Sequence, residues 1–261
     1  MKVSNNLDIA IKAALVAGKE ILKIYKSSDL GVEYKPDKSP LTLADKASNR
    51  IIESALTTTK IPILSEEGEA INYENRKDLN KLWIIDPLDG TKEFIKKNDE
   101  FTVNIALIEE NKPTIGVIYA PALKVMYFSE KKFGSYKILI DGFEQLQYSK
   151  AIRLPMAVNS DEYKVLISRS HLDQNTLDYI DKLKNNQSKV ISVPMGSSLK
   201  FCLLAEGIAN SYPRFSPCME WDTAAGQIIC NEAGFKVIDQ ITNSEILYNR
   251  TDLINNSFIA E

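Results

Sequence analysis

A chain of 261 residues that is 44% hydrophobic and 26% charged can bury a full core, and this composition excludes disordered, collagenous and disulfide-scaffold classes. Its 32 basic and 35 acidic side chains leave a net charge of −3, without the basic excess that polymeric nucleic acid demands of a partner. Cys202, Cys218 and Cys230 form no CxxC pair and fit incidental thiols in a reducing compartment.

From the N-terminus, Asp8, Lys12 and Lys19 interrupt the apolar positions, so the segment lacks the uninterrupted apolar h-region of a signal peptide and none is expected. Leu7, Ala10, Ile11, Ala14, Leu15, Gly18, Leu22 and Tyr25 instead recur at three- and four-residue steps and predict an amphipathic helix ending before Ser27. A second stripe, Ala44, Ser48, Ile51 and Ala55, follows Ser39-Pro40. Between Leu82 and Tyr148 the texture changes to short β-rich runs, Leu82–Asp86, Phe101–Ile108, Thr114–Tyr119 and Val125–Ser129, separated by hairpin-length connections. These predict an antiparallel sheet flanked by helices. The longest apolar stretch, Ile115 to Leu123, holds Gly116 and Pro121 and is far too short to span a bilayer. A cytoplasmic protein without a transmembrane segment is expected, with weak peripheral membrane association left open.

After Arg153 the pattern alternates: strand Val165–Ser168, helix Thr176–Lys184, strand Val190–Val193, helix Ser198–Glu206, strand Ile208–Tyr212 and helix Thr223–Glu232. Such alternation implies parallel crossover units. The chain therefore reads as two halves, 1–150 and 151–261, sharing an interface where a site could sit.

The richest segment is Trp83-Ile84-Ile85-Asp86-Pro87-Leu88-Asp89-Gly90-Thr91. Pro87 is expected to stop the strand and Gly90 to permit a tight turn, so that Asp86 and Asp89 converge. Oxygen-only ligands suit Mg²⁺, and the helical stretch predicted over Lys92–Lys97 offers its first N–H groups to phosphate. The plain alternative makes both aspartates turn formers and caps. Ser65-Glu66-Glu67-Gly68 follows the apolar run Ile61–Leu64, and could equally be a solvated acidic loop. Asp222, before Thr223-Ala224-Ala225-Gly226, could simply be an N-cap. Three acidic strand or helix ends with one phosphate cradle favour metal-assisted phosphate chemistry. A single histidine, His171, disfavours multi-histidine zinc sites and a Ser-His-Asp triad; a surface-loop position is its plainest reading. Neither common nucleotide-binding glycine fingerprint occurs.

Together, Ser65-Glu66-Glu67, Asp86-Pro87-Leu88-Asp89-Gly90-Thr91 and Trp221-Asp222-Thr223-Ala224-Ala225 resemble the inositol monophosphatase superfamily of Mg²⁺-dependent, lithium-sensitive phosphomonoesterases, in order and approximate spacing. Inositol phosphatases usually follow the Gly-Thr pair with Thr-Asn-Phe, whereas this chain reads Gly90-Thr91-Lys92-Glu93-Phe94-Ile95. With Glu100-Phe101-Thr102-Val103-Asn104-Ile105-Ala106-Leu107, Gly116-Val117-Ile118-Tyr119-Ala120-Pro121 and Gly196-Ser197-Ser198-Leu199-Lys200-Phe201, it is similar to the bacterial bisphosphate-nucleotidase branch. That branch converts adenosine 3′,5′-bisphosphate, a by-product of sulfate activation, to AMP.

The resemblance implies a layered αβαβα sandwich, an α/β (α+β) fold with an antiparallel sheet in the N-terminal half and a mainly parallel one in the C-terminal half. It implies two or three Mg²⁺ ions, one held by Glu67, Asp86 and the Leu88 carbonyl and another by Asp86, Asp89 and Asp222. Asp45 and Thr91, with Glu67, would be catalytic, Asp45 pairing with the Thr91 hydroxyl to activate water; otherwise Asp45 is one more polar residue on an exposed helix face. Gly90 and Thr91 would hold phosphate through their amides. Glu67, Leu88, Asp89, Gly196, Ser197, Ser198, Lys200, Arg214 and Asp222 would complete the substrate contacts, with His171 a candidate base-stacking ring and Arg214 otherwise a surface salt-bridge arginine. Ser216 and Cys218 depart from the Gly and Thr usual before Trp-Asp. An inositol or sugar monophosphatase with the same metals, and a catalytically silent nucleotide-binding protein, are the alternatives. Nothing in the sequence dictates an oligomeric state; a monomer is the working expectation.

Overall fold

The computed structural model describes residues 1–261 except 70, 142–145, 157–160, 170–172 and 187–188. The first half carries α1 (Asn5–Tyr25), β1 (Glu33–Tyr34), β2 (Pro40–Leu41), α2 (Leu43–Leu56), β3 (Ile63–Ser65), α3 (Tyr73–Arg76), β4 (Lys81–Asp89), α4 (Thr91–Ile95), β5 (Thr102–Glu109), β6 (Lys112–Ala120), β7 (Val125–Glu130) and β8 (Gly134–Leu139). There follow β9 (Ile152–Arg153), β10 (Tyr163–Ser168), α5 (Gln174–Asn186), β11 (Val190–Met195), α6 (Leu199–Ala205), β12 (Tyr212–Arg214), α7 (Glu220–Glu232), β13 (Val237–Asp239), β14 (Ser244–Glu245) and β15 (Phe258–Ala260).

Both long N-terminal helices start on side-chain caps. The Leu7 amide donates to Ser4 Oγ, and in α2 the Thr42 amide donates to Asp45 Oδ2 while the Ala44 amide donates to Thr42 Oγ1, satisfying N–H groups that have no partner within the helix. Strands β3 to β9 form one sheet in sequence order, antiparallel throughout except for the parallel pair β3–β4. Its central strands are apolar on both faces because both are covered. Trp83, Ile85, Val103, Ile105, Val117 and Tyr119 pack with α1 and α2, while Leu82, Ile84, Ala106, Ile108 and Ile118 pack with α6 and α7. The period-two alternation of a strand thus divides one apolar run between two cores.

Beyond α6 and α7 lies the second β layer. Phe201 and Cys230 share their core with Tyr212, Val237, Phe258 and Ala260, and α5 closes the far side against β11 and β12. The layers therefore run αβαβα. The parallel character expected for the second half resides in the pair β10–β11 and a parallel bridge from Val165 to Ser211. The remaining strands, in the order β12-β15-β13-β14, run antiparallel. The strand expected from Ile208 starts only at Tyr212, and the helix expected from Thr223 starts at Glu220. All three cysteines are free and buried, and among the described residues no helix is long and apolar enough to cross a membrane.

The seat of α7 on the sheet leaves no room at Gly116, where a Cβ would stand 2.4 Å from Ile228 Cγ2 and 2.6 Å from the Ala225 carbonyl oxygen. The second contact is backbone and cannot rotate away. Gly116→Ala should therefore cost about 1–3 kcal/mol of stability, read as a lower urea midpoint; an unchanged midpoint would show that α7 shifts freely on β6.

Candidate active site

The acidic segment is carried by the end of β4. The strand does not stop at Pro87 but continues to Asp89 through a register shift between Asp86 and Asp89. Proline is tolerated there because a bulge needs no ladder N–H at that position, and the Ser48 hydroxyl of α2 donates to the Pro87 carbonyl at 2.7 Å to hold it. The Leu88 amide turns back onto Asp86 Oδ1 at 3.0 Å. Gly90, at φ +90°, makes the turn into α4; a Cβ there would lie 2.9 Å from the Glu100 carbonyl oxygen. The helix that follows is Thr91–Ile95, shorter and one residue earlier than the sequence suggested.

Two further elements bring acids to the same cleft. The Glu66 amide, just past β3, donates to the Ile85 carbonyl at 3.2 Å. Asp222 sits in the first turn of α7 and is not its N-cap: Met219 caps the helix, and its amide donates to Asp222 Oδ2 at 2.8 Å. Glu66, Asp86, Asp89 and Asp222 all line one cleft. Glu67, the glutamate singled out from the sequence, does not. Its carboxylate takes the Lys35 ammonium at 2.5 Å while Glu66 takes the same ammonium at 2.8 Å. Of the pair, Glu66 is thus the acid on the cleft, where the resemblance implies Glu67. The only signal for it was its place one residue nearer the strand, and the two neighbours carry the same chemistry.

Electrostatically the cleft is strained. Burial raises the Asp86 carboxyl well above its ordinary range, and the charges of Glu66, Asp89 and Asp222 raise it further. Asp222 is pushed up to about 7 by burial, then by Asp89 and Glu66. Burial likewise raises Asp89, against the charge of Lys200, the Ser198 amide at 2.6 Å and the Asn104 side-chain amide at 3.4 Å. Among the described residues no three His, Cys, Asp or Glu side chains are gathered into a ready-made metal cluster. The donor set nonetheless fits a hard divalent cation, because an oxygen-only group of buried like charges is relieved by one.

Beside these acids, the Thr91 hydroxyl donates to Asp45 Oδ1 at 3.2 Å and approaches the Leu88 carbonyl at 3.3 Å. Asp45 is only 2% exposed, which excludes the exposed-face alternative, and burial raises its pKa to about 6 despite the hydrogen bonds from Thr42. Across the cleft, Gly196, Ser197, Ser198, Lys200 and Arg214 all contribute to the wall. The Lys200 ammonium is buried, donating to the Ser197 carbonyl at 2.6 Å and the Met195 carbonyl at 3.1 Å; burial, then the charge of Arg214, lowers its pKa to about 8. Among the described residues Arg214 makes no ion pair. It donates to the carbonyls of Ser216 and Pro217, both at 3.1 Å. Cys218 lines the cleft as well, and Ser216 Oγ is buried without a hydrogen-bond partner among the described residues. His171 lies outside the described residues.

Residues 2–261 match the inositol monophosphatase family. The chain belongs to that family. It is 43% identical to the 3′(2′),5′-bisphosphate nucleotidase CysQ of Buchnera aphidicola over 97% of this chain and 92% of the relative. It is 45% identical to the protein of the same name from Salmonella typhimurium over 89% and 90%. The crystal structure of CysQ from Bacteroides thetaiotaomicron, a bacterial member of the family, superposes with a TM-score of 0.91 at 45% identity, covering 98% of this chain and 96% of that one.

The strained acids make a prediction for this family member in its metal-free form. Asp222 has a folded pKa near 7 against an ordinary 3.8, so between those values the folded state holds the extra proton and stability falls as pH rises. In chelator, Asp222→Asn should therefore have a higher urea midpoint than wild type near about pH 7.5, with the gap closing toward about pH 5. A gap that is absent or widens toward acid would show that the carboxylates do not repel one another in the folded protein.

Proposed function

We propose that this chain is a Mg²⁺-dependent 3′(2′),5′-bisphosphate nucleotidase, hydrolysing the 3′-phosphate of adenosine 3′,5′-bisphosphate to give AMP and phosphate. The observation that carries the reading is the nearly end-to-end identity of 43–45% with relatives named for that activity. The four-carboxylate cleft supports it.

In this reading Glu66, Asp86, Asp89, Asp222 and the Leu88 carbonyl would hold the metal ions, Glu66 taking the place that the resemblance gives to Glu67. Bound Mg²⁺ supplies Lewis acidity and makes a water nucleophilic near neutral pH. Thr91, whose proton is directed to Asp45 Oδ1, presents its free lone pairs to that water and relays one proton to Asp45 as the new P–O bond forms. The bond from phosphorus to the 3′-oxygen breaks, and that oxygen is protonated from solvent. The Gly90 and Thr91 amides orient the phosphate, with nothing larger than Gly tolerated at residue 90. Lys200 and Arg214 face this metal-bearing half as the cationic side of the cleft and receive the second phosphate and nucleoside. The chain thereby divides its labour, with 1–150 carrying most metal ligands and 151–261 carrying Asp222 and the nucleoside side.

Turnover of adenosine 3′,5′-bisphosphate should exceed that of inositol 1-phosphate in a matched Mg²⁺ assay, and chelator should abolish both. A preference for inositol 1-phosphate would move the chain to the inositol or sugar monophosphatases. Nucleotide binding by calorimetry with no phosphate release in Mg²⁺ would make it a silent binding protein.

Thr91→Ala and Asp45→Asn should each lower kcat far more than they raise KM, because water activation is felt mainly in the transition state. The double variant should lose little more than the worse single one. Losses in activation free energy that sum would show that the two side chains act independently.

A further inference from the structure

Glu100 lies in the segment leading into β5, and its carbonyl oxygen bounds the turn at Gly90. In the structure its carboxylate stands outside the wall of the cleft and gathers three N–H groups from the other half of the chain. Arg169 donates from Nε at 2.8 Å and from Nη2 at 2.6 Å, and the Gly196 amide donates at 2.7 Å. Arg169 Nη2 also reaches the Pro194 carbonyl at 3.2 Å. The segment after β10 and the turn after β11 are thus collected on a single carboxylate from the segment leading into β5, and Arg169 ties the end of β11 to the same point.

That turn is tightly constrained. A Cβ on Gly196 would lie 2.9 Å from Glu93 Cγ and 3.0 Å from the Glu100 carbonyl oxygen, and Ser197 takes φ +49°, a region L residues seldom adopt. The turn also carries two groups that face the cleft. The Ser198 amide donates to Asp89 Oδ2 at 2.6 Å, and the Ser197 carbonyl accepts from Lys200 at 2.6 Å. The Ser198 hydroxyl lies 2.7 Å from both Thr102 Oγ1 and Asn104 Oδ1, so β5 grips the same turn from below. Any shift of residues 196–198 is passed at once to both an acid and a cation of the cleft.

We propose that Glu100 and Arg169 form a positioning pair for the reaction, a forked ion pair across the two halves that fixes the 196–198 turn and through it the orientation of Asp89 and Lys200. Neither residue touches the reacting atoms. A planar guanidinium on a carboxylate specifies direction as well as distance. With the Arg169 side chain 42% exposed, the pair adds little to global stability. Its contribution is geometric, as for the outer-shell partners of metal ligands. The roles of Asp89 and Lys200 in this inference rest on the function proposed above.

The test compares wild type with Glu100→Ala, Glu100→Gln and Arg169→Lys. Glu100→Gln keeps an acceptor for the Gly196 amide and loses the charge, while Arg169→Lys keeps the charge and loses the fork. Glu100→Ala and Arg169→Lys should lower both Mg²⁺ affinity, measured by calorimetry without substrate, and kcat by about 10- to 100-fold. Glu100→Gln should fall between them and wild type, and unfolding midpoints should stay near that of wild type. Hydrogen exchange at the Ser198 amide, which needs neither metal nor substrate, should accelerate in Glu100→Ala. Wild-type exchange at Ser198 together with wild-type Mg²⁺ affinity in Glu100→Ala would overturn the pairing. So would losses that merely track a lowered midpoint and disappear on cooling. If wild type failed to cleave the bisphosphate, the functional reading would fall, while the Ser198 exchange would still decide whether Glu100 holds the turn.

Discussion

The repulsion among Glu66, Asp86, Asp89 and Asp222 is the constraint around which this molecule is arranged. Burial holds Asp86, Asp89 and Asp222 above the ordinary carboxylate range, and neighbouring acids add to it, Glu66, Asp89 and Asp222 for Asp86, Asp89 and Glu66 for Asp222, and Glu93 for Asp89, which is unfavourable for the fold unless a cation arrives. Each of these three aspartates is therefore fixed by a backbone amide. Asp86 accepts from Leu88, Asp89 from Ser198 and Asp222 from Met219. One oxygen of each is thereby held by the protein backbone. A site of this kind needs rigid supports, and it has them in a central sheet covered on both faces and in a helix seated so closely that Gly116 can carry no side chain.

The two halves meet through this site and not merely beside it. Asp89 comes from β4 but is oriented by the turn before α6, and that turn is held in place by Glu100 from the first half and Arg169 from the second. Lys200, buried in the same region, offsets part of the negative charge of Asp89. The close approach of three loops at Gly90 and Gly196, where a methyl group would collide with the Glu100 backbone, lets backbone amides of one half serve side chains of the other. On the far side, Lys35 from the β1–β2 hairpin bridges Glu66 and Glu67 and quiets a pair of adjacent acids that no strand ladder could separate.

Local patterns in the chain determined a good deal by themselves. The three-and-four spacing in Asn5–Tyr25, the doubly apolar runs of β4 to β7 and the acids at the ends of apolar segments are short-range features, and periodicity and turn chemistry suffice to read them. The convergence of Asp86 and Asp89 was legible for the same reason, since three residues and a glycine turn confine it. The family's ordered motifs located Asp45, Thr91 and Asp222 as well, but only as residue types in sequence.

Tertiary structure decided what depends on distant partners. Glu66 and Glu67 are indistinguishable by composition; the hydrogen bond from the Glu66 amide to Ile85, a contact between neighbouring strands, accompanies the turning of Glu66 into the cleft. Proline within β4 was compatible with a strand only because a bulge absorbs it opposite β5. The two- and three-residue strands β13, β14 and β15 are too short to show alternation and exist through their antiparallel pairing near the end of the chain. The Glu100–Arg169 pair, 69 positions apart in sequence, leaves no local trace at all, because a charge on a loop has the same pattern whether it meets solvent or the fork of an arginine from the other half.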